Sequence, residues 1–185
     1  MDTIHTLIHA NQSLKPLASI FEGFFPESSV HFVNKTTCFI THPISEEGQS
    51  TENLYELLIS DMEMPLSMVV FPSVVMDLFP LKFLAEAFKL LPKYYYDYEQ
   101  FLLNVIKQSP TNQSTIKHSL SNALPQPYIQ NALGLASANM NISVAAKRLY
   151  IHRNTLIYRI EAIKQKTGID IKQFNGLMIF TLLFA

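Results

Sequence analysis

The side chains best suited to bind another molecule lie on one short stretch, residues 153–167. Apolar residues recur there at steps of four and three, as on one side of an α-helix, and they are Leu156, Ile160 and Ile163. The opposite side is polar, and it carries Asn154, Tyr158, Glu161 and Gln165, flanked by Arg153, Thr155 and Lys164. This pattern predicts a helix that is buried on one side and offers hydrogen-bonding groups on the other.

A second short helix is predicted immediately before this one. Ser143 is a good N-cap, and Val144 to Tyr150 gives about two turns. The small residues Ala145 and Ala146 permit a close approach to a neighbouring helix. Tyr150 stands at a turn position where many such units have glycine, which adopts a positive φ at low cost. The spacing predicts a helix-turn-helix unit whose recognition helix spans about 153–167.

The polar residues near the two helix starts suit recognition of DNA, because the N-terminal turn of a recognition helix approaches the bases. Arginine pairs best with guanine and asparagine with adenine, so Arg153 and Asn154 are predicted to contact base edges. Tyr158, one turn later, is placed for a base edge or a phosphate. Ser143 and Thr155, beside free backbone N–H groups, suit phosphate contacts.

Three further residues complete the predicted interface, and two of them have an equally good alternative role. His152 either caps the helix or contacts phosphate, or it is only a turn residue. Arg159 lies beside the buried stripe, so it suits a structural ion pair as well as a phosphate. Lys164 lies on the flank of the polar face. The predicted DNA-binding residues are Ser143, His152, Arg153, Asn154, Thr155, Tyr158, Arg159 and Lys164.

The run LYIHRNTLIYRIEAIKQKTGIDI carries a resemblance to a known family. Its HRNT-L-x-YR core, the TG-I-D after it and the terminal apolar helix resemble the C-terminal DNA-binding domain of the PucR family of bacterial transcription regulators. The resemblance covers roughly Tyr128 to Ala185. It implies a bacterial regulator that binds double-stranded DNA as a homodimer. Whether a small-molecule effector controls it, and which one, does not follow from the resemblance.

Charge is distributed unevenly along the chain. Residues 141–172 hold seven basic and two acidic residues, so their net charge is +5; because the whole chain carries −1, residues 1–140 carry −6. A basic end on an acidic body is typical of a module that faces phosphate. Charge alone would favour a solvated basic helix in an all-α domain, and the turn spacing together with HRNT reverses that preference.

The N-terminal part alternates between helical and strand-like patterns. Helix is predicted over residues 2–24, and β-branched and aromatic runs at 29–33 and 36–41 predict a hairpin with Asn34-Lys35 at its turn. Asn34 is expected to have a positive φ. A helix at 52–62, a strand at 67–71 and helices within 77–108 follow. The fold class is therefore α+β, with a small sheet-containing domain before an all-α helix-turn-helix domain.

Composition divides the chain into three segments. Residues 1–108 are predicted to form an N-terminal sensor or dimerisation domain. Residues 109–126 are polar and proline-rich, which is typical of a linker. Residues 127–185 are predicted to form the DNA-binding domain, beginning with a helix at Pro127. Its last helix, Phe174 to Phe184, is apolar on nearly every face, which suits either a core helix or a dimer interface.

Composition also indicates the cellular compartment of the protein. The chain of 185 residues is 48% hydrophobic, enough to bury a core, and contains one cysteine, Cys38, which cannot form an internal disulfide. The N-terminus lacks the pattern of a secretory signal, and no apolar run is long enough to span a bilayer. We therefore expect a soluble cytoplasmic protein without membrane association.

Enzymatic alternatives have little support in the sequence. It contains no phosphate-binding loop, dinucleotide fingerprint, nucleophile elbow or clustered zinc pattern. Cys38 and His42 do not meet in a strand, and His5 and His9 at helical spacing are better explained as surface or partly buried histidines than as metal ligands. Glu46 and Glu47 suit a solvated loop, and the tyrosine cluster at 94–98 suits packing. No catalytic residue, metal site or cofactor is expected.

Two functions of different classes remain. The first is a sequence-specific transcription regulator acting through residues 153–167. The family usually carries a larger N-terminal sensor and an intervening cyclase-like domain, whereas only about 125 residues precede the motif here. The shortened region motivates the alternative, a protein that pairs with a longer regulator through its apolar C-terminal helix and aromatic region, without binding DNA productively by itself.

Overall fold

A five-stranded sheet forms the centre of the N-terminal part in the computed structural model, which describes residues 3–43 and 51–185. Its strand order is β2-β3-β1-β4-β5, and every neighbouring pair is antiparallel except β4 and β5. The strands are β1 Thr3–Ala10, β2 Ser29–Asn34, β3 Thr37–Pro43, β4 Leu66–Pro72 and β5 Tyr95–Tyr96.

Helices are interspersed with these strands along the chain, which confirms the predicted α+β class. They are α1 Ala18–Phe24, α2 Thr51–Ser60, α3 Val75–Leu78, α4 Leu81–Lys89 and α5 Tyr98–Gln108. One buried cluster joins residues of β1, β3 and β4 to Phe21 of α1 and to Leu54 and Leu58 of α2. The predicted loop residues Glu46 and Glu47 lie outside the described residues.

Strand β1 corrects the prediction of a helix over residues 2–24. Its sequence, TIHTLIHA, places Ile4, Leu7 and Ile8 at steps of three and four, which imitates a helix. The strand instead lies between β3 and β4, where both of its faces are buried. A strand buried on both faces loses the polar alternation that marks a half-exposed strand. The second half of the predicted segment is helical, with a short 3-10 helix at Lys15–Leu17 followed by α1.

The β2–β3 hairpin confirms the predicted pair of strands, but its turn differs from the prediction. Asn34 is absent from the residues with positive φ in the described chain. Its side-chain Oδ1 instead accepts hydrogen bonds from the Thr36 backbone N–H at 2.9 Å and from the Thr36 hydroxyl at 3.0 Å. Asparagine stabilises this turn by local hydrogen bonding rather than by a left-handed backbone.

The tyrosine cluster belongs mainly to the packing of the sheet. Tyr95 and Tyr96 form β5, so within residues 77–108, where helices are predicted, α5 begins only at Tyr98. Tyr96 and Tyr98 are buried, and the Tyr96 hydroxyl donates to the Pro92 carbonyl at 2.9 Å. Of the cluster, Tyr94 is the exposed member. These contacts agree with the interpretation of the cluster as packing.

Most of α5 and the five helices after it form a second compact unit. The chain divides between Phe101 and Leu102, within α5, and the second unit extends to Ala185. Its helices after α5 are α6 Pro110–Ala123, α7 Gln126–Ser137, α8 Ile142–Arg148, α9 Arg153–Thr167 and α10 Phe174–Phe184. Helix α7 contacts α8, α9 and α10. In the described part of the chain, no helix combines the length and apolarity needed to cross a membrane.

Helix α6 occupies most of residues 109–126, the segment predicted to be a linker. Ser109 caps it by accepting from the Asn112 backbone N–H at 3.1 Å, and Pro110 occupies its first turn. These residues form a start signal for a helix. Ile116 and Leu120 are fully buried, and α6 contacts α9 and α10. Ile116 and Leu120 thus anchor α6, whose sequence is otherwise mostly polar, in the helical unit. The separate functions assigned to residues 1–108 and 127–185 stay predictions.

Candidate nucleic-acid interface

Helix α8 begins at Ile142, two residues before the predicted start at Val144. Asn141 is its N-cap, and the Asn141 side chain accepts from the Val144 backbone N–H at 3.1 Å. Ser143 is therefore not the cap but the second residue of the helix, where its side chain is exposed. The prediction of a cap at Ser143 was wrong because two good capping residues, Asn141 and Ser143, stand close together and only one matches the helix start.

The turn between α8 and α9 is a Schellman motif with tyrosine at its left-handed position. Tyr150 has a φ of 54°. The Ile151 backbone N–H donates to the Ala146 carbonyl at 3.1 Å, and the Tyr150 N–H donates to the Lys147 carbonyl at 3.3 Å. Glycine usually occupies this position, because its missing Cβ removes the strain of a positive φ. The geometry of a helix-turn-helix therefore forms here without glycine.

Helix α9 starts where predicted, and a histidine caps it. His152 Nδ1 accepts from the Asn154 backbone N–H at 3.2 Å. This contact settles the structural role of His152 as a cap. Arg153 and Asn154 follow as the first two residues of α9, and both side chains are exposed. The first turn of α9 thus presents a guanidinium and an amide to solvent.

The inner side of α9 packs as the predicted stripe requires. Leu156, Ile160 and Ile163 are at most 1% exposed. Ala145 and Ala146 of α8 are buried as well, and α8 contacts α9. Burial of this stripe fixes the rotation of α9 about its axis and turns the polar side outward.

The outer side of α9 carries one large exposed ring. Tyr158 is 68% exposed and lies one turn after Asn154. Thr155 is partly buried beside them. The structure therefore brings Arg153, Asn154 and Tyr158 to the outer side of one helix, with Thr155 at its border. Side chains that can hydrogen-bond from one exposed helix side are of the kind that recognition helices present to the major groove.

Two lysines of the basic segment form ion pairs within the unit. Lys164 Nζ lies 2.9 Å from Asp170 Oδ2, and Lys172 Nζ lies 2.6 Å from Glu161 Oε1. Burial would raise the pKa of the Asp170 carboxyl, but the hydrogen bonds from Lys164 and from the Lys172 backbone hold that pKa below its usual value. Lys164, predicted to contact DNA, is thus partly neutralised by Asp170.

Two arginines also make contacts inside the helical unit. Arg159 lies over the Tyr128 ring, 5.9 Å from its centroid. This cation–π contact differs from both roles predicted for Arg159, an ion pair and a phosphate contact. Arg148 donates from Nη1 to the Ser137 carbonyl. Both arginines keep their charge, but contacts within the unit fix their positions.

The histidines considered as metal ligands lie on strand β1 and have structural partners. His5 Nδ1 lies 3.0 Å from the Thr41 hydroxyl, and His9 Nδ1 lies 3.0 Å from the Thr37 hydroxyl. Four residues along a strand separate His5 from His9 by about 13 Å. Among the described residues, no group of three or more His, Cys, Asp and Glu side chains could hold a metal ion.

Cys38 and His42 are separated in the same way on β3. Burial raises the pKa of the Cys38 thiol to about 12, which leaves the thiol protonated and a poor nucleophile. His42 Nδ1 donates to the Pro43 carbonyl at 3.1 Å, so Nε2 accepts from the buried Thr6 hydroxyl at 3.0 Å. The His42 ring also stacks on Phe25, with ring centroids 4.0 Å apart. Both side chains therefore serve the packing of the sheet.

The buried histidines predict an acid-sensitive N-terminal unit. Burial lowers the pKa values of His5, His9 and His42 below 6.5, and positive neighbours add to this effect at His5 and His9. The unfolded chain therefore binds more protons than the folded chain when the pH falls below about 6.5. The free energy of unfolding is expected to be highest above this pH and to fall toward pH 5.

Chemical denaturation at pH 7.5, 6.5 and 5.5 measures this dependence. His5→Gln removes one of the three buried histidines. The free energy of unfolding of this variant should therefore fall less steeply, as the pH is lowered, than that of the wild type. An equal free energy of unfolding at pH 7.5 and 5.5 would contradict the prediction.

Two comparisons place the chain beside other proteins. An uncharacterised protein of Bacillus subtilis (strain 168), YxkF, is 44% identical over 41 residues, which are 22% of this chain and 14% of that protein. The match thus spans about a seventh of the length of that relative. The crystal structure of a regulator of polyketide synthase expression from Bifidobacterium adolescentis superimposes with a TM-score of 0.47 at 14% identity, covering 98% of this chain and 78% of that chain.

The helices that form the candidate interface also match a family model. Residues 135–185 match the PucR C-terminal helix-turn-helix domain, a range that includes the end of α7 and all of α8, α9 and α10. The match confirms the resemblance inferred from the HRNT core and supports a regulatory protein. Residues 135–185 are a PucR C-terminal helix-turn-helix domain.

Proposed function

We propose that this protein is a sequence-specific DNA-binding transcription regulator whose helix α9 enters the major groove. The observation that carries the proposal is the exposed start of α9: Arg153 and Asn154 lie outward on a helix whose opposite side is buried in a PucR helix-turn-helix. Arg153 would pair with guanine and Asn154 with adenine. Tyr158, one turn further, would reach a base edge or a phosphate.

Phosphate contacts would come from the residues that flank the groove-facing turn. Ser143 is exposed in the first turn of α8, and Thr155 lies in the first turn of α9. Backbone N–H groups at both helix starts add donors and a partial positive charge. The cap His152 adds a polar ring at the same end of α9. Arg159 and Lys164 contribute less, because Tyr128 and Asp170 already hold them.

Selection of duplexes from a random DNA pool by the full chain tests the proposal. We expect enrichment of one site, bound far more tightly than scrambled DNA, with an affinity that falls steeply as salt increases. A homodimer would enrich a palindrome whose half-sites lie about one helical turn apart. Failure to enrich any site would contradict DNA recognition by this chain alone.

Lys147 is expected to act as a sequence-independent phosphate contact. It is exposed in the last turn of α8, and no ion pair of Lys147 occurs among residues 3–43 and 51–185. Lys147→Ala should weaken binding to all duplexes equally and reduce the salt slope of log affinity by about 1. Lys166→Ala removes the same charge at the far end of α9 and is the matched control.

Affinity measured at several salt concentrations separates the two lysine variants. A Lys147→Ala slope equal to that of the wild type, or an equally large effect of Lys166→Ala, would contradict the assignment. Either result would place the phosphates elsewhere on the unit.

We further propose that the regulator is a homodimer in the bacterial cytoplasm, where DNA is accessible. Two half-sites require two copies of α9 at a fixed separation. Sedimentation of the full chain, with and without the selected duplex, tests this proposal. The N-terminal α+β unit would set the dimer geometry or bind an effector. A monomer at micromolar concentration in both conditions would contradict the dimer.

An apolar groove in the helical unit supports the alternative, a protein that pairs with a longer regulator. The groove has a volume of about 370 Å³, and it is lined by Ala136, Asn139, Met140, Phe174, Leu177, Met178 and Thr181. Phe174 at its edge is 64% exposed. A chain that sediments as a monomer and enriches no DNA site would favour this alternative.

A further inference from the structure

The turn before the recognition helix holds a strained and almost completely exposed tyrosine. Tyr150 has a φ of 54°, in the left-handed region that favours glycine. Its side chain is 96% exposed, so packing within the helical unit does not offset the strain. Strained non-glycine residues concentrate at sites of binding. If only folding of the Schellman motif mattered, glycine would be favoured at this position. A role in binding would account for the tyrosine side chain.

The contacts of the basic residues around the recognition helix indicate what Tyr150 would add to DNA binding. Lys164 and Lys172 are held in ion pairs, Arg159 lies over Tyr128, and Arg148 donates to the Ser137 carbonyl. Half of the six basic residues of α8 and α9 are thus engaged within the unit, which leaves Lys147, Arg153 and Lys166 to contact DNA. Neutral hydroxyl donors, tyrosine among them, supply many of the contacts that proteins make to the DNA backbone.

The position of Tyr150 suits such a contact. It stands two residues before His152, the cap of α9, and two residues span at most about 7 Å. Tyr150 therefore lies at the end of α9 that carries Arg153 and Asn154. When the start of a recognition helix enters the groove, the phosphates that border the groove lie beside this end.

We propose that the Tyr150 hydroxyl donates a hydrogen bond to a phosphate beside the groove, which makes Tyr150 a positioning residue for α9. The proposal rests on the DNA-binding function proposed above. A contact to phosphate sets affinity and orientation without reading sequence. Tyr150 accordingly contributes equally to every duplex, whereas Asn154 distinguishes between them.

Two substitutions in the full chain test the proposal on the duplex that the wild type selects. Tyr150→Phe removes only the hydroxyl and should weaken binding about tenfold, because a hydrogen bond to a charged group is lost. Tyr150→Gly should weaken binding at least as much, while its midpoint of chemical denaturation stays equal to that of the wild type or rises. Both variants should select the same site as the wild type.

The outcomes separate this proposal from the proposed function. Wild-type affinity in Tyr150→Phe overturns the hydroxyl contact, and a changed preferred site overturns the positioning role. If Tyr150→Phe binds normally while Asn154→Ala loses its site preference, only the Tyr150 proposal fails. If the wild type binds neither a selected duplex nor a random one, the DNA-binding function fails and the Tyr150 proposal falls with it.

Discussion

Gly176→Ala is expected to unfold the helical unit or to destabilise it by about 3 kcal/mol. Gly176 lies in α10, and a Cβ built there would lie 2.2 Å from the backbone oxygen of Asp170 and 2.7 Å from its carbonyl carbon. The segment that carries this carbonyl is held by fully buried residues, Ile169 and Ile171. Backbone fixed on both sides cannot yield to a methyl group. Chemical denaturation monitored by circular dichroism measures the loss.

Gly23→Ala is the matched control for this substitution. Gly23 also lies within a helix, α1, but nothing lies within 4 Å of a Cβ built there. Alanine has the higher helix propensity, so this variant should be as stable as the wild type or more stable by about 0.5–1 kcal/mol. Equal stability of Gly176→Ala and the wild type would show that α10 does not approach Asp170 so closely.

Asn154→Ala is expected to weaken preference for the selected DNA site by about 1–3 kcal/mol without unfolding the protein. The Asn154 side chain is exposed in the first turn of α9, and alanine is the better helix former. Loss of a bidentate amide contact should affect the cognate duplex far more than scrambled DNA. Competition binding with both duplexes measures the preference, and repeated selection reveals whether the preferred base changes.

Gln165→Ala controls for the loss of an amide from the same helix. Gln165 is exposed about three turns after Asn154, at the end of α9 away from the proposed groove contact. It should retain the wild-type preference. An unchanged preferred site in Asn154→Ala, or an equal loss in Gln165→Ala, would contradict the role of Asn154.

The helix-turn-helix could be predicted from sequence because its signals are local. The stripe of Leu156, Ile160 and Ile163 defines which side of α9 is buried, and the structure confirms it. Gly168, with a φ of 73°, ends α9 in the left-handed conformation that glycine adopts readily. Each of these features depends on residues within a few turns of one helix.

Strand β1 could not be predicted in this way, because its neighbours are distant in sequence. His5 faces Thr41 on β3 and Phe71 on β4, and these cross-strand partners satisfy and bury it. The local pattern of Ile4, Leu7 and Ile8 in β1 fits a helix equally well. Helix α6 poses the converse problem, because its polar composition conceals Ile116 and Leu120, which are fully buried in the helical unit.

The sequence by itself determined the family resemblance, the α+β class and the polar side of the recognition helix, since periodicity and motif spacing record them directly. Tertiary structure decided which groups on that side are available. Asp170 holds Lys164, Tyr128 holds Arg159, and Tyr150 adopts a left-handed backbone with its ring in solvent. Contacts between residues on different elements depend on three-dimensional packing, which local patterns along the sequence do not reveal.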